Sequence, residues 1–161
     1  MKLIKLMIAV AGIAVGLSAP ASAAQSDPEI IIYRFPGVLD SGGPTNVGAA
    51  TSFHCTNFST TAETLRIVVR NNGGAILSNV SSPILQLETV TFSTHNTVLY
   101  SEINLNTGAV SQGTAGIAAT SINIVCTAVT LDAATPQPLG FALVGLRFPP
   151  ASRNQHQQAV Q

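Results

Sequence analysis

Along the chain the apolar residues fall into short runs with a period of two, and the runs end at Gly, Pro, Asn or Asp, which is the pattern of strands and turns. Residues 30–35 read as a first short strand and residues 36–50 as a Gly- and Pro-rich connector. Residues 51–57 form a second strand, in which Phe53 and Cys55 share a face. From 65 to 70 the alternation is regular: Leu65, Ile67 and Val69 point one way and Arg66 and Arg70 the other, as in a half-buried strand. Asn71-Asn72-Gly73-Gly74 supplies residues that tolerate positive φ, so residues 65–70 and 75–80 are expected to make a hairpin. Pro83 is expected to break the next stretch, after which Val90 and Phe92 alternate with Thr89, Thr91 and Ser93 in another short strand. Residues 100–105 are strand-like up to the turn Asn106-Thr107-Gly108. Residues 114–131 hold two strands or one long bent one, with Ile122, Ile124, Cys126 and Ala128 on a common face. Residues 139–148 are apolar on both faces, which predicts a strand in the middle of a packed layer, and Pro149-Pro150 ends the fold.

The first 23 residues follow a different logic. Lys2 and Lys5 precede an apolar run from Leu6 to Leu17, too short to span a bilayer comfortably, and Ala21 and Ala23 put small side chains where signal peptidase reads them. Residues 1–23 are therefore expected to be a cleavable export signal, residues 24–150 one domain, and residues 151–161 a flexible polar tail. A membrane anchor fits less well, because no charged stop-transfer flank follows the run. The product is expected in the periplasm or outside the cell.

Removing the signal leaves 138 of the 161 residues, enough for one hydrophobic core and too few for two ordinary domains. Five arginines then face seven acidic residues, a formal charge of −2, and no lysine follows Lys5. That excludes lysine Schiff-base chemistry, a Ser-Lys dyad and a P-loop lysine. Sparse positive charge also argues against nucleic-acid binding, which needs clustered cations to displace phosphate counterions.

Cys55 and Cys126 are the two cysteines of the chain, and in an oxidising compartment they are expected to pair. Each sits in a strand pattern with apolar residues two positions away, so both sulfurs should face one core. Short strands rich in Thr and Val, regular turns and no helical period outside the signal predict an all-β fold: a single small antiparallel β-sandwich with one disulfide. An immunoglobulin-like architecture, with the bridge joining opposite sheets, suits the spacing of the cysteines. Its further marks are missing: the chain has no Trp, and Ile124 stands where a tyrosine corner would place Tyr.

The segments His54-Cys55-Thr56-Asn57-Phe58-Ser59, Leu65-Arg66-Ile67-Val68-Val69-Arg70, Thr91-Phe92-Ser93-Thr94-His95 and Cys126-Thr127-Ala128 resemble those of a group of uncharacterised secreted bacterial proteins. The resemblance spans residues 53 to about 148 and implies a recurring exported unit. It carries over no catalytic residue.

Three constellations invite a chemical reading. Asp40-Ser41-Gly42-Gly43-Pro44 looks like the stretch around a protease serine, but Leu39 replaces the expected glycine and almost no chain precedes it to hold the His and Asp of a triad. A flexible connector is the better reading. His54, His95 and His156 do not cluster in sequence; convergence of His54 and His95 with Glu63, Glu88 or Glu102 would make a metal site, whereas ordinary surface histidines are expected. Arg66 and Arg70 share a strand face and could clamp a carboxylate or phosphate, against the simpler reading of exposed charges pairing with Glu63, Glu88 or Glu102 or blocking edge association. No catalytic, cofactor-binding or metal-ligating residue is assigned, and no cofactor. The site residues assigned are Cys55 and Cys126. The expected function is a non-catalytic interaction or envelope-associated module whose partner is another envelope or extracellular protein. A pilin-like appendage subunit and a small-ligand or metal-binding periplasmic protein are the alternatives.

Overall fold

The computed structural model describes residues 29–137 and 139–148; the expected signal and tail lie outside them. Ten strands follow in chain order: β1 Ile30–Asp40, β2 Ala49–Asn57, β3 Glu63–Arg70, β4 Ile76–Ile84, β5 Thr89–Ser93, β6 Glu102–Asn104, β7 Val110–Ala119, β8 Ile124–Asp132, β9 Gly140–Leu143 and β10 Leu146–Arg147. They form two five-stranded sheets, ordered β10-β1-β7-β3-β4 and β6-β5-β2-β8-β9, and the described residues contain no helix. Every pairing is antiparallel except β5 with β6, which is parallel.

The two sheets pack face to face, as the alternation requires. Leu65, Ile67 and Val69 of β3 and Ala115, Ile117 and Ala119 of β7 face Phe53 and Cys55 of β2, Phe92 of β5, and Ile124, Cys126 and Ala128 of β8 in one buried cluster. Phe35 of β1 meets the edge of the Phe53 ring across the layers, centroids 5.7 Å apart, and stacks on Tyr33. Fully burying each large apolar side chain is worth roughly 1.5–3 kcal/mol. The β3–β4 hairpin closes at the expected Asn-Asn-Gly-Gly turn, where Asn71 Oδ1 accepts from the N–H groups of Gly73 and Ala75, each at 3.0 Å.

The disulfide forms between Cys55 and Cys126, and it ties neighbours of one sheet rather than the two layers. The cysteines are directly opposite in the β2–β8 ladder with Cα atoms 4.2 Å apart, the spacing of the closer, non-hydrogen-bonded pairs. The inter-sheet bridge of an immunoglobulin-like design is therefore corrected. Spacing along the chain fixes how long a loop the bridge closes, and says nothing about which sheet each strand joins.

Three further expectations change. Residues 36–40 continue β1 instead of opening a connector, because register shifts around Pro36 and Val38 absorb the proline and Gly37 without ending the pairing with β7. Pro83 does not break β4, which runs on to Ile84; β4 is an edge strand, where a missing N–H costs no ladder bond. Residues 139–148 are not a central strand. They form β9 at the edge of one sheet and β10 at the edge of the other, and an apolar run reads alike in either place. Gly145 permits the crossing between sheets, since a Cβ there would sit 2.3 Å from the Phe35 ring.

Candidate functional site

The chain-reversal end of the sandwich, where β1 leads into β2 and β5 leads into β6, holds a buried polar cluster. Asp40, the last residue of β1, is 2% exposed, and its Oδ2 lies 2.7 Å from His95 Nδ1. Its Oδ1 accepts the Gly42 N–H at 2.7 Å, and Thr107 Oγ1 stands 3.5 Å from Oδ2. Thr51 Oγ1 donates to the Leu39 carbonyl at 2.8 Å and accepts the Leu39 N–H, while its own N–H donates to Thr94 Oγ1 at 3.0 Å. The cluster thus welds the end of β1 to β2 and to the segment after β5.

The expectation of an exposed His95 is corrected by this pairing. Alternation could not show it, because His95 lies two residues past the end of β5. An Asp-His pair is also the inner half of a catalytic triad, but here the other ring nitrogen, Nε2, is buried and meets no hydrogen-bond partner among the described residues. Among the described residues no hydroxyl stands within hydrogen-bond reach of Nε2, where a nucleophile would be activated. Ser41, the residue that looks protease-like in sequence, is exposed beside Gly43 and Gly48.

His54 and His95 do not converge. His54 lies on the outer face of the second sheet, between Thr91 of β5 and Thr127 of β8. Its Nδ1 is 3.0 Å from Thr91 Oγ1, and its ring packs edge-on against Tyr100 with centroids 4.5 Å apart. Glu102 is occupied by Thr97, whose N–H and hydroxyl both donate to it. Glu88 accepts the Leu85 N–H, and among the described residues no three His, Cys, Asp or Glu side chains gather as metal ligands would.

Burial lowers the His54 pKa below the ordinary 6.5, because desolvation disfavours the imidazolium. The unfolded chain then takes up the proton first as the pH falls, so folding stability declines as pH drops through 6.5 and is restored above it. Glu63 titrates lower: burial alone would raise its pKa, but hydrogen bonds from Thr120, Ser59 and Thr61 outweigh that and lower it from 4.5. Replacing His54 by glutamine should therefore flatten the stability profile over the interval just below pH 6.5. Urea titrations across that interval check this; parallel profiles for variant and parent would contradict it.

The arginines fall on the outer face of the first sheet. Arg66 pairs with Glu29, not with Glu63, Glu88 or Glu102, and Arg70 Nη1 donates to the Gly74 carbonyl at 2.8 Å. Arg34 of β1 shares this face and lies over the Phe148 ring, 6.0 Å from its centroid. Alternation within β3 located Arg66 and Arg70, but only the β1–β7–β3 order brings Arg34 near them.

Exposed apolar residues make up the remaining feature. Leu139, Phe141, Val144 and Leu146, on the segment that crosses between the sheet edges, are 59% to 80% exposed. With Leu39, Val47 and Ala134, Leu139 and Phe141 line a shallow apolar groove beside the chain-reversal end. A second group stands on other turns: Phe58, Leu85 and Leu87 are all exposed, and Leu87 holds φ of 60°, an uncommon conformation for a bulky side chain. The Leu87 N–H donates to the Asn57 carbonyl at 2.8 Å, which places that turn beside Phe58.

Set against protein-family models, curated proteins and solved structures, the chain matches none. Its own geometry carries the functional reading.

Proposed function

We propose that this protein is an exported, non-catalytic interaction module, and that its partner is another envelope or extracellular protein. The observation that carries this is the exposed apolar segment of β9 and β10. Four large side chains are held in water along adjoining edges of both sheets, where a protein with no partner would gain by carrying polar ones. The segment is rigidly held, with β9 paired to β8, β10 paired to β1 and Gly145 seated on Phe35, so it offers a preformed surface. The buried, unpartnered His95 Nε2 supports a non-catalytic reading of the Asp40–His95 pair. The disulfide and the signal-like first 23 residues support export.

Because no lysine follows Lys5, amine cross-linkers are of little use, and the test is a photoreactive phenylalanine analogue placed at Val144. In cells that make the protein naturally, irradiation should give one discrete adduct from Val144. The same group at Asn79, exposed on the opposite edge strand, should give none. Equal labelling from both positions, or none from Val144, would sink the proposal. Light scattering separates the pilin-like alternative: a monomer is expected, and heat-resistant ladders would favour an appendage subunit.

A further inference from the structure

The free edge of β9 can be followed bond by bond. On its other side β9 pairs with β8, Phe141 opposite Thr130 and Leu143 opposite Ala128. The Asp132 N–H donates to the Leu139 carbonyl, and in an antiparallel ladder pairs that exchange hydrogen bonds alternate with pairs that do not. Leu139, Phe141 and Leu143 therefore bond towards β8, and Gly140 and Ala142 turn their N–H and C=O groups away from it. Among the described residues none hydrogen-bonds to them on that side.

An open row of N–H and C=O groups templates another strand, so edges are commonly blunted by charged side chains or by proline. Residues 139–146 have neither, and Gly140, Phe141 and Ala142 are all exposed. The smallest side chains stand at the two positions whose backbone faces outward, so nothing shields it. The edge strand β4 of the other sheet differs, exposing Asn79, Ser81 and Pro83. Because β9 is short, pairing to Gly140 and Ala142 adds about four main-chain bonds, and a binder needs a second source of affinity beside them.

The groove supplies that source and sets what the strand must carry. Phe141 faces the core side of its sheet but stands 59% exposed at the mouth between the layers. With Leu39, Val47 and Leu139 it lines an apolar hollow of about 560 Å³. A strand laid along β9 sends alternate side chains into that hollow. Asp132 is the charged residue of the lining. Its carboxylate accepts the Ala134 N–H and the Thr135 hydroxyl, and among the described residues no arginine or histidine pairs with it. A second copy of the chain would bring the same hollow and the same acid, leaving both unmatched.

We infer that the partner binds by strand addition: an extended segment of its chain, apolar at alternate positions and flanked by Lys or Arg, pairs with the outer edge of β9. Its apolar side chains fill the groove and its cation meets Asp132. The inference rests on the interaction reading and names the partner chemistry of that surface.

The test keeps the photoreactive group at Val144 in cells that make the protein and adds changes at Ala142. Ala142→Pro removes the outward N–H and leaves the β8 ladder whole, whereas Ala142→Val keeps the N–H and suits a strand. The adduct should fall roughly tenfold with proline, which leaves an acceptor on the incoming strand unpaired, and stay near the parent level with valine. Asp132→Asn, whose amide oxygen can still accept the Ala134 N–H, should lower it several-fold. In the purified adduct, the peptide spanning residues 139–143 should exchange its amide hydrogens roughly tenfold more slowly than in the free protein, which decides the matter should the proline variant fail to fold. A full adduct from folded Ala142→Pro, equal loss with Ala142→Val, no slowing at 139–143, or an adduct with the mass of two copies of this chain would overturn the inference. An adduct that Asp132→Asn leaves unchanged would overturn the assignment of a basic flank. Failure of the Val144 probe to give any adduct in the otherwise unaltered protein would instead sink the interaction reading beneath it.

Discussion

Changing His95 to alanine is expected to remove about 3 kcal/mol of folding stability, a large share of a small domain's total. The Asp40 side chain is fully buried, and His95 Nδ1, at 2.7 Å, is one of its two close partners. Without the imidazole, Oδ2 of the buried Asp40 keeps, among the described residues, only the Thr107 hydroxyl at 3.5 Å. Removing one member of a buried pair costs more than the pair's net worth, because the other member is left desolvated. Asp40→Ala should cost a similar amount, since it also strips the acceptor from the Gly42 N–H. The two changes together should cost clearly less than their sum, as expected for side chains in direct contact. Urea melts of the three variants supply the numbers; a His95→Ala protein within about 0.5 kcal/mol of the parent would show that the pair does not hold this end of the sandwich.

The double change Cys55→Ala with Cys126→Ala is expected to cost roughly 2–5 kcal/mol and much of the exported yield. The bridge joins residues 71 apart, and closing a loop of that length restricts the unfolded chain by about 4 kcal/mol in the entropic treatment. Both sulfurs are also buried in the common core, so alanine leaves unfilled space between the layers. Because the bridge lies within the β2–β8 ladder, the backbone pairing itself can persist without it, and the reduced or doubly substituted protein should keep its sheet signature at low temperature. Single substitutions are less informative, since the remaining thiol can pair between molecules. A double variant that melts with the parent would mean that the cross-link adds nothing to this fold.

Much of the architecture was legible because a period of two has one physical meaning. Leu65, Ile67 and Val69 had to share a buried face, and the Asn-Asn-Gly-Gly turn had to join their strand to the next. Phe53, Cys55, Ile124 and Cys126 gave the core of the second sheet in the same way. What alternation does not encode is the order of strands in a sheet. That order decided that Cys55 and Cys126 are neighbours within one layer, that the apolar residues 139–148 divide between two edges, and that Pro83 sits on an edge strand where it does no harm.

The polar features were hidden for the same reason. Asp40 and His95 are 55 residues apart, and each lies at or past a strand end, where period-two reasoning stops. A signal for the pair did exist: Asp40 precedes a glycine-rich turn and His95 follows a strand of Thr and Ser, both typical of a hydrogen-bonded strand end. Neither pattern says that the two ends coincide. The arginine face shows the converse. Two of its members were plain in β3, and the third became visible only when β1 and β3 were placed on either side of β7.

The placement of every surface described, including the outward turn of His54 and the inward turn of both cysteines, depends on the β2–β8 register. The most direct measurement of it is a nuclear Overhauser experiment on the oxidised mature protein, read at the α-protons of Cys55 and Cys126. With the two residues directly opposite and their Cα atoms 4.2 Å apart, a strong Hα–Hα cross-peak is expected between them, as in close antiparallel pairs. A disulfide found intact without that cross-peak, and with Cys55 Hα contacts to strands of the other sheet, would show that the bridge joins the two layers and that this arrangement of the sandwich is wrong.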